Sequence, residues 1–93
     1  MTPDIEARID ADFVMAQRMD ALGILRQLES DLGKETSRIL RCVVFLARGD
    51  LERLAHFANQ ARADYRDVIY WAEYDERDRH LRDFNSPFAA SGW

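Results

Sequence analysis

Ser37-Arg38-Ile39-Leu40-Arg41-Cys42-Val43-Val44-Phe45-Leu46-Ala47-Arg48 is the most apolar stretch of the chain, and its reading decides the fold. At 100° per residue, Arg38, Arg41 and Arg48 fall in one sector of a helix while Ile39, Leu40, Cys42, Val43, Val44, Leu46 and Ala47 fill the remaining arc. A run this rich in β-branched residues is also compatible with a buried strand. Its length and its arginine spacing decide for a helix over 37–48, about 18 Å long, buried on most sides. Thr36 or Ser37 is the N-cap candidate, and Gly49 is the residue type that takes a left-handed conformation just past a helix end. Phe45 falls inside the arginine sector, on the side expected to face water.

Outward from this helix, the neighbouring segments read as its cover. Thr2-Pro3-Asp4 opens a helix, with Thr2 as the cap and the proline where its missing N–H costs nothing. That first helix is expected over about 3–32. Its apolar face changes partway. Ile5, Ile9, Phe13 and Ala16 form one stripe; Ala21, Leu25, Leu28 and Leu32 form another, rotated by well over a right angle. Either the helix bends near Asp20 to Gly23, or it is continuous and its two halves touch different things. In the second case the Ile5, Ile9, Phe13 stripe lacks an assigned partner.

Asp31 to Glu35 is a short polar connection, which makes the first two helices antiparallel neighbours. Arg48-Gly49-Asp50 ends one helix and caps the next. Leu51, Leu54, Ala58, Ala61, Tyr65, Val68 and Ala72 then step by three and four, which argues for a single helix over about 50–73. Aspartates within Asp64-Tyr65-Arg66-Asp67 are able to cap and hide a break, but the unbroken spacing outweighs them. From Asp75 to Asp83 the charges alternate in sign, which reads as a solvated helical extension or a loop. Phe84 and Phe88 flank turn residues, so the tail over 75–93 is expected to dock by its rings, with 89–93 frayed. The expected architecture is all-α, an antiparallel bundle of three main helices with a docked aromatic tail, forming one domain over 1–93.

Ninety-three residues, 47% hydrophobic and 32% charged, support one modest core. No apolar run approaches the roughly 20 residues needed to cross a bilayer, and the start of the chain lacks the pattern of a signal peptide. A cytoplasmic location is the resulting expectation. The single Cys42 has no internal partner for a disulfide and reads as a packed, inert thiol. The net charge of −4 divides unevenly. Residues 1–36 carry eight acids against four bases, 37–48 carry three arginines and no acid, and 50–83 carry nine acids against six bases. An acidic chain is poorly suited to phosphate backbones, and the residues after Gly49 begin Asp50-Leu51-Glu52-Arg53, unlike a DNA-recognition helix. Nucleic acid and membrane are therefore not expected partners.

Motifs for catalysis are missing: there is no glycine-rich phosphate loop, no nucleophile elbow and no zinc spacing. The strongest chemical alternative uses the polar face of the third helix, with His56, Asp64 and Asp67, together with His80, as small-molecule or metal ligands of a binding protein or enzyme. His56 and Asp64 lie about 12 Å apart along a helix axis, so they meet only through a ligand. Glu76 and His80 share an i,i+4 spacing, but two ligands do not make a site. No metal or cofactor is expected.

Apolar and arginine side chains in unusual places carry more weight. Phe45 between arginines, Tyr70 and Tyr74 on the polar side of the third helix, the unassigned Ile5, Ile9, Phe13 stripe, and Phe84, Phe88 and Trp93 together exceed what a three-helix core buries, unless the tail folds back over them within one chain. With Arg41 and Arg48 they are the residue types enriched at interface hot spots. The sequence therefore points to a small non-catalytic helical protein acting through protein–protein association, homodimeric, with Arg41, Phe45, Arg48, Tyr70, Trp71 and Tyr74 as contact candidates.

Overall fold

The structure, a computed structural model, describes residues 1–33 and 36–88. It is all-helical. Among the described residues four named helices follow in order: α1 (Pro3–Asp12), α2 (Met15–Leu32), α3 (Ser37–Ala47) and α4 (Leu51–Glu73). Among the described residues there is no strand beyond an isolated antiparallel bridge between Tyr74 and His80. None of these helices is long and apolar enough to cross a membrane. Residues 34, 35 and 89–93, including the connection before α3 and the last stretch of the tail with Trp93, lie outside the described residues.

The first expected helix is two helices, and the break lies at Phe13–Val14 rather than near Gly23. Both residues are extended, at φ −107°, ψ 141° and φ −62°, ψ 150°. This two-residue corner reconciles the rotated stripes. Ile5, Ile9 and Phe13 from α1 and Ala21, Leu25 and Leu28 from α2 enter the same core. The stripe that lacked a partner therefore has one within the chain. Breaking a helix frees carbonyl groups, and here Arg18 takes them: its guanidinium donates to the backbone oxygens of Asp10 (2.8 Å) and Phe13 (3.2 Å). Gly23 stays inside regular α2. Thr2 starts α1 through its carbonyl, which accepts the Ile5 N–H at 3.1 Å, while its hydroxyl donates to the Asp4 carboxylate instead of capping.

Helix α3 is buried nearly all round, as its composition demands, with Leu40, Cys42, Val43, Val44 and Ala47 fully enclosed. It ends at Ala47, one residue early, because Arg48 itself turns left-handed (φ 52°) ahead of Gly49 (φ 76°). Asp50 then caps α4, its carboxylate accepting the N–H groups of Glu52 (2.9 Å) and Arg53 (3.2 Å). Arg53 reaches back and donates to the Leu46 carbonyl at 2.8 Å, closing the end of α3. Gly49 has a second reason to be glycine. A Cβ there would stand 2.5 Å from the Asp12 carbonyl oxygen, so the α3–α4 turn abuts the end of α1 backbone to backbone. Gly49→Ala is expected to cost about 2 kcal/mol through left-handed strain and this clash. A urea midpoint within error of wild type would refute the close approach.

Helix α4 is interrupted at Asp64, whose backbone is extended (φ −160°, ψ 101°), so the expectation of one unbroken helix is corrected. The Asp64 carboxylate accepts the Arg66 N–H at 3.0 Å and restarts the helix as a cap does. The three-four spacing survives the interruption at Ala61 and Val68, both buried, but Tyr65 swings outward and is exposed. Spacing alone could not register a break that falls between two core positions one heptad apart.

After α4, residues 74–87 form a loop. Asp75 accepts the N–H groups of Arg77 and Arg79, and the Glu73 carbonyl accepts those of Leu81 and Arg82. This returns the chain to the bundle, where Phe84 and Phe88 are buried with their ring centroids 5.8 Å apart.

Candidate functional site

The most concentrated polar chemistry surrounds Glu73, a residue the sequence reading passed over. Its side chain is 0% exposed. Arg38 of α3 meets it with two parallel hydrogen bonds of 2.7 and 2.6 Å, the fork geometry that matches guanidinium to carboxylate. His80 Nε2 lies 2.8 Å from Oε1, and the Phe84 N–H donates to Oε2 at 3.2 Å. Burial by itself would push the Glu73 carboxyl up, but Arg38, His80 and the Phe84 amide together hold it below the usual carboxylate range. The Cys42 Sγ lies 4.0 Å from Oε2, and burial, reinforced by the Glu73 charge, pushes its thiol far up. A carboxylate with all its acceptor positions occupied is a poor general base, and a protonated buried thiol is a poor nucleophile. The cluster instead ties three parts of the chain together: α3, the end of α4 and the returning tail.

A second buried charge sits at Arg41, and it corrects the arginine-stripe reading. Arg41 was expected to face water and a partner; it is 5% exposed. Its guanidinium donates to Asp4 at 2.8 and 3.1 Å, to the Phe84 carbonyl at 3.0 Å and to the Thr2 hydroxyl at 3.3 Å. Asp4 also accepts the Phe88 N–H at 3.2 Å, and its carboxyl is held well below the ordinary range, first by Arg41. Arg41 is thus a clamp between α1, α3 and the tail, and is unavailable as a contact residue. The acidic flanks of the arginine helix pair with it through Asp4–Arg41 and Glu73–Arg38, with Arg41 and Glu73 the buried members.

Phe45 is partly buried. The Phe84 ring is 5.2 Å from it, and the Arg82 guanidinium lies over its face at 4.6 Å. Tyr74 is half-buried in a ladder, stacked on Tyr70 at 5.3 Å and tilted against His80 at 4.8 Å. Arg48, Tyr70 and Trp71 remain on the surface, Trp71 with its edge toward Phe57 at 6.2 Å.

The alternative ligand set is not brought together. His56 packs against the neighbouring Phe57, Asp64 pairs with Arg66, Asp67 is exposed on the restarted helix, and His80 is engaged by Glu73. Glu76 lies in the loop rather than one helical turn from His80, which removes the i,i+4 geometry. Among the described residues no group of three or more histidine, cysteine or acidic side chains is placed to hold a metal ion.

Apolar surface gathers instead at the start of α2. Val14, Met15 and Met19 are 64%, 77% and 73% exposed. Met15, Met19, Gly23 and Gln27 recur every four residues along one side of α2. Beside them an open groove of about 510 Å³ runs between α2 and α4. Its walls include Met19, Gly23 and Ile24 on α2 and Ala55 and Ala58 on α4. A hydrogen-bonded set borders it, in which Asp31 accepts from Gln27 (3.0 Å) and Arg62 (2.7 Å), and Arg62 also donates to Asn59 (2.8 Å). The sequence signal for this face was the i,i+4 methionine pair on an otherwise polar side of the helix. It was hidden because a straight helix over 3–32 assigns the surplus to Ile5, Ile9 and Phe13. No family model, no curated protein and no solved structure matches this chain at a significant level.

Proposed function

We propose that this chain is a small non-catalytic association module, homodimeric, in which an antiparallel helical bundle with a docked tail presents an apolar face to a second protein chain. The observation that carries this reading is the Val14, Met15, Met19 surface beside the open α2–α4 groove. Three large apolar side chains at adjoining positions, each more than half exposed, are costly to leave in water, and clustered apolar surface on a small domain marks an interface. The bundle itself is supported by the contacts that join Arg38 to Glu73 at one end of α3 and Leu46 to Arg53 at the other. Non-catalytic action is supported by the saturation of the Asp4 and Glu73 carboxylates and by the burial of Cys42, which pushes its thiol up. A cytoplasmic setting fits that free, buried thiol. Arg48, Tyr70 and Trp71 are surface side chains of the kind enriched at interfaces and are secondary contacts in this reading.

Light scattering behind size exclusion across a concentration series tests it. The wild-type chain is expected to dimerise, and Met15→Glu with Met19→Glu is expected to weaken the dimer by at least about tenfold, since each change puts a charge into an apolar contact. Helical circular dichroism should stay unchanged because both side chains are exposed. A wild-type chain that is monomeric at every concentration would sink the homodimer.

A further inference from the structure

Gly23 sits in the middle of α2, at a regular helical position, and nothing among the described residues crowds it there. A Cβ at this position would meet no atom within 4 Å. Glycine is among the poorest residues for a helix interior. In α2 its effect is to leave bare backbone on one wall of the groove, opposite Ala55 and Ala58 on the other. Small residues on facing walls let a foreign side chain or helix come down to backbone level. One turn before this gap stands Met19, 73% exposed, and one turn before that Met15.

We propose that the α2–α4 groove is the receptor for Met19, flanked by Met15, of a second copy of this chain, each copy filling the other's groove across a two-fold axis that passes between Met19 and Gly23. This rests on the association reading above and names the surface it uses. The occupant follows from the arrangement. A two-fold interface must be self-complementary, so each surface has to carry both the projection and the recess it fits. Here they are adjacent on the same side of α2, four residues apart, so a rotation about a point between them sets each methionine over the partner's glycine. Methionine is unbranched and polarizable and suits an irregular apolar recess. Arg62 on α4 is already paired with Asp31 at 2.7 Å, which leaves Asp20 on α2 as the other charge lining the groove. So small a net charge gives no advantage to a strongly basic or strongly acidic partner.

Gly23→Leu tests the proposal without endangering the fold, because the space at Gly23 is open and leucine is the better helix former. The variant is expected to keep its helical circular dichroism and to melt no lower than wild type when both are dilute and monomeric, yet to dimerise at least tenfold more weakly in light scattering. As a second measurement, Met19→Cys chains mixed with Gly23→Cys chains under mild oxidation are expected to give a cross-linked pair. The native Cys42 is buried and does not compete. A dimer as tight in Gly23→Leu as in wild type, or no cross-link in a mixture that is dimeric, would overturn the groove proposal. If that dimer is still broken by Met15→Glu with Met19→Glu, the association reading stands without the groove. A wild-type chain that is monomeric at every concentration overturns both.

Discussion

Glu73→Ala is expected to lower the unfolding free energy by about 4 kcal/mol, the range for removing one partner of a buried ion pair. For a chain of this size that corresponds to a fall in melting temperature of roughly 16–30 °C. The magnitude follows from what is left behind. Arg38 loses a two-point partner, the buried Phe84 N–H loses its acceptor, and a cavity replaces a side chain that is 0% exposed. The loss should be felt first in the tail, because Glu73 is where the His80 ring and the Phe84 amide are anchored. Limited proteolysis should therefore cut between Asp75 and Phe88 in the variant while the helices still resist. Glu73→Gln keeps the shape and some hydrogen bonding and should cost less, about half as much by the same reasoning. A Glu73→Ala midpoint within about 1 kcal/mol of wild type would refute the assignment of Glu73 as the anchor of the tail.

The same carboxylate gives the protein a predictable response to acid. Glu73 and Asp4 both have folded-state pKa values held below their unfolded values, Glu73 by Arg38, His80 and the Phe84 amide against its burial, Asp4 chiefly by Arg41. For a depressed carboxyl the stabilisation is complete above the unfolded pKa, near 4.3 for Glu and 3.9 for Asp, and is lost as pH falls toward the folded value. Stability should thus be insensitive to these two groups near neutral pH and decline from about pH 5 downward. Urea unfolding at a series of pH values should show that decline in wild type and a shallower one in Glu73→Ala. An equal slope in both would mean that Glu73 is not a linked group.

Arg41→Met is the second large effect, at about 3 kcal/mol. Methionine retains an apolar stem, so the loss isolates the guanidinium. Without it the Asp4 carboxylate keeps only the Thr2 hydroxyl and the Phe88 N–H, and the buried Phe84 carbonyl loses its donor. Much of the cost is an uncompensated charge, so it should be partly reversible. Asp4→Asn added to Arg41→Met is expected to recover about 1 kcal/mol or more, because a neutral amide is cheaper to leave than a charge. Strictly additive losses in the double variant would argue that the two side chains act separately, against the clamp. Neither variant touches the methionine face, so dimerisation measured below the melting transition should be retained in both.

These predictions concentrate on charges, and that is where the sequence was least legible. Whether a helical arginine faces water or the core depends on what stands opposite it, and the partners of Arg38 and Arg41 lie 35 and 37 positions away. On the helical wheel Arg41 belongs to the polar sector; only the arrival of Asp4 on one side and Phe84 on the other makes that position internal. Phe45 is partly buried for the same reason, with Phe84 and Arg82 packed against its ring. The chain breaks behave alike. The rotated apolar stripes allowed either a bend near Gly23 or a continuous helix, whereas the corner lies at Phe13–Val14, where Arg18 satisfies the freed carbonyls. The interruption at Asp64 is masked in the sequence, because a local cap leaves little trace in a spacing that resumes one heptad later.

What the sequence determined by itself is the local order: helices where apolar residues recur at three and four, α3 as the enclosed helix because nearly its whole circumference is apolar, and the stop and restart at Gly49-Asp50, where a left-handed turn and a carboxylate cap act within a few residues. Those signals are short-range, governed by backbone sterics and by hydrogen bonds to neighbours in sequence. Tertiary structure alone decided which charges are buried and which apolar side chains remain outside. Desolvation and pairing are set by groups far apart in the chain, and the corner at Phe13–Val14 turned the first stripe inward while leaving Met15 and Met19 in the open.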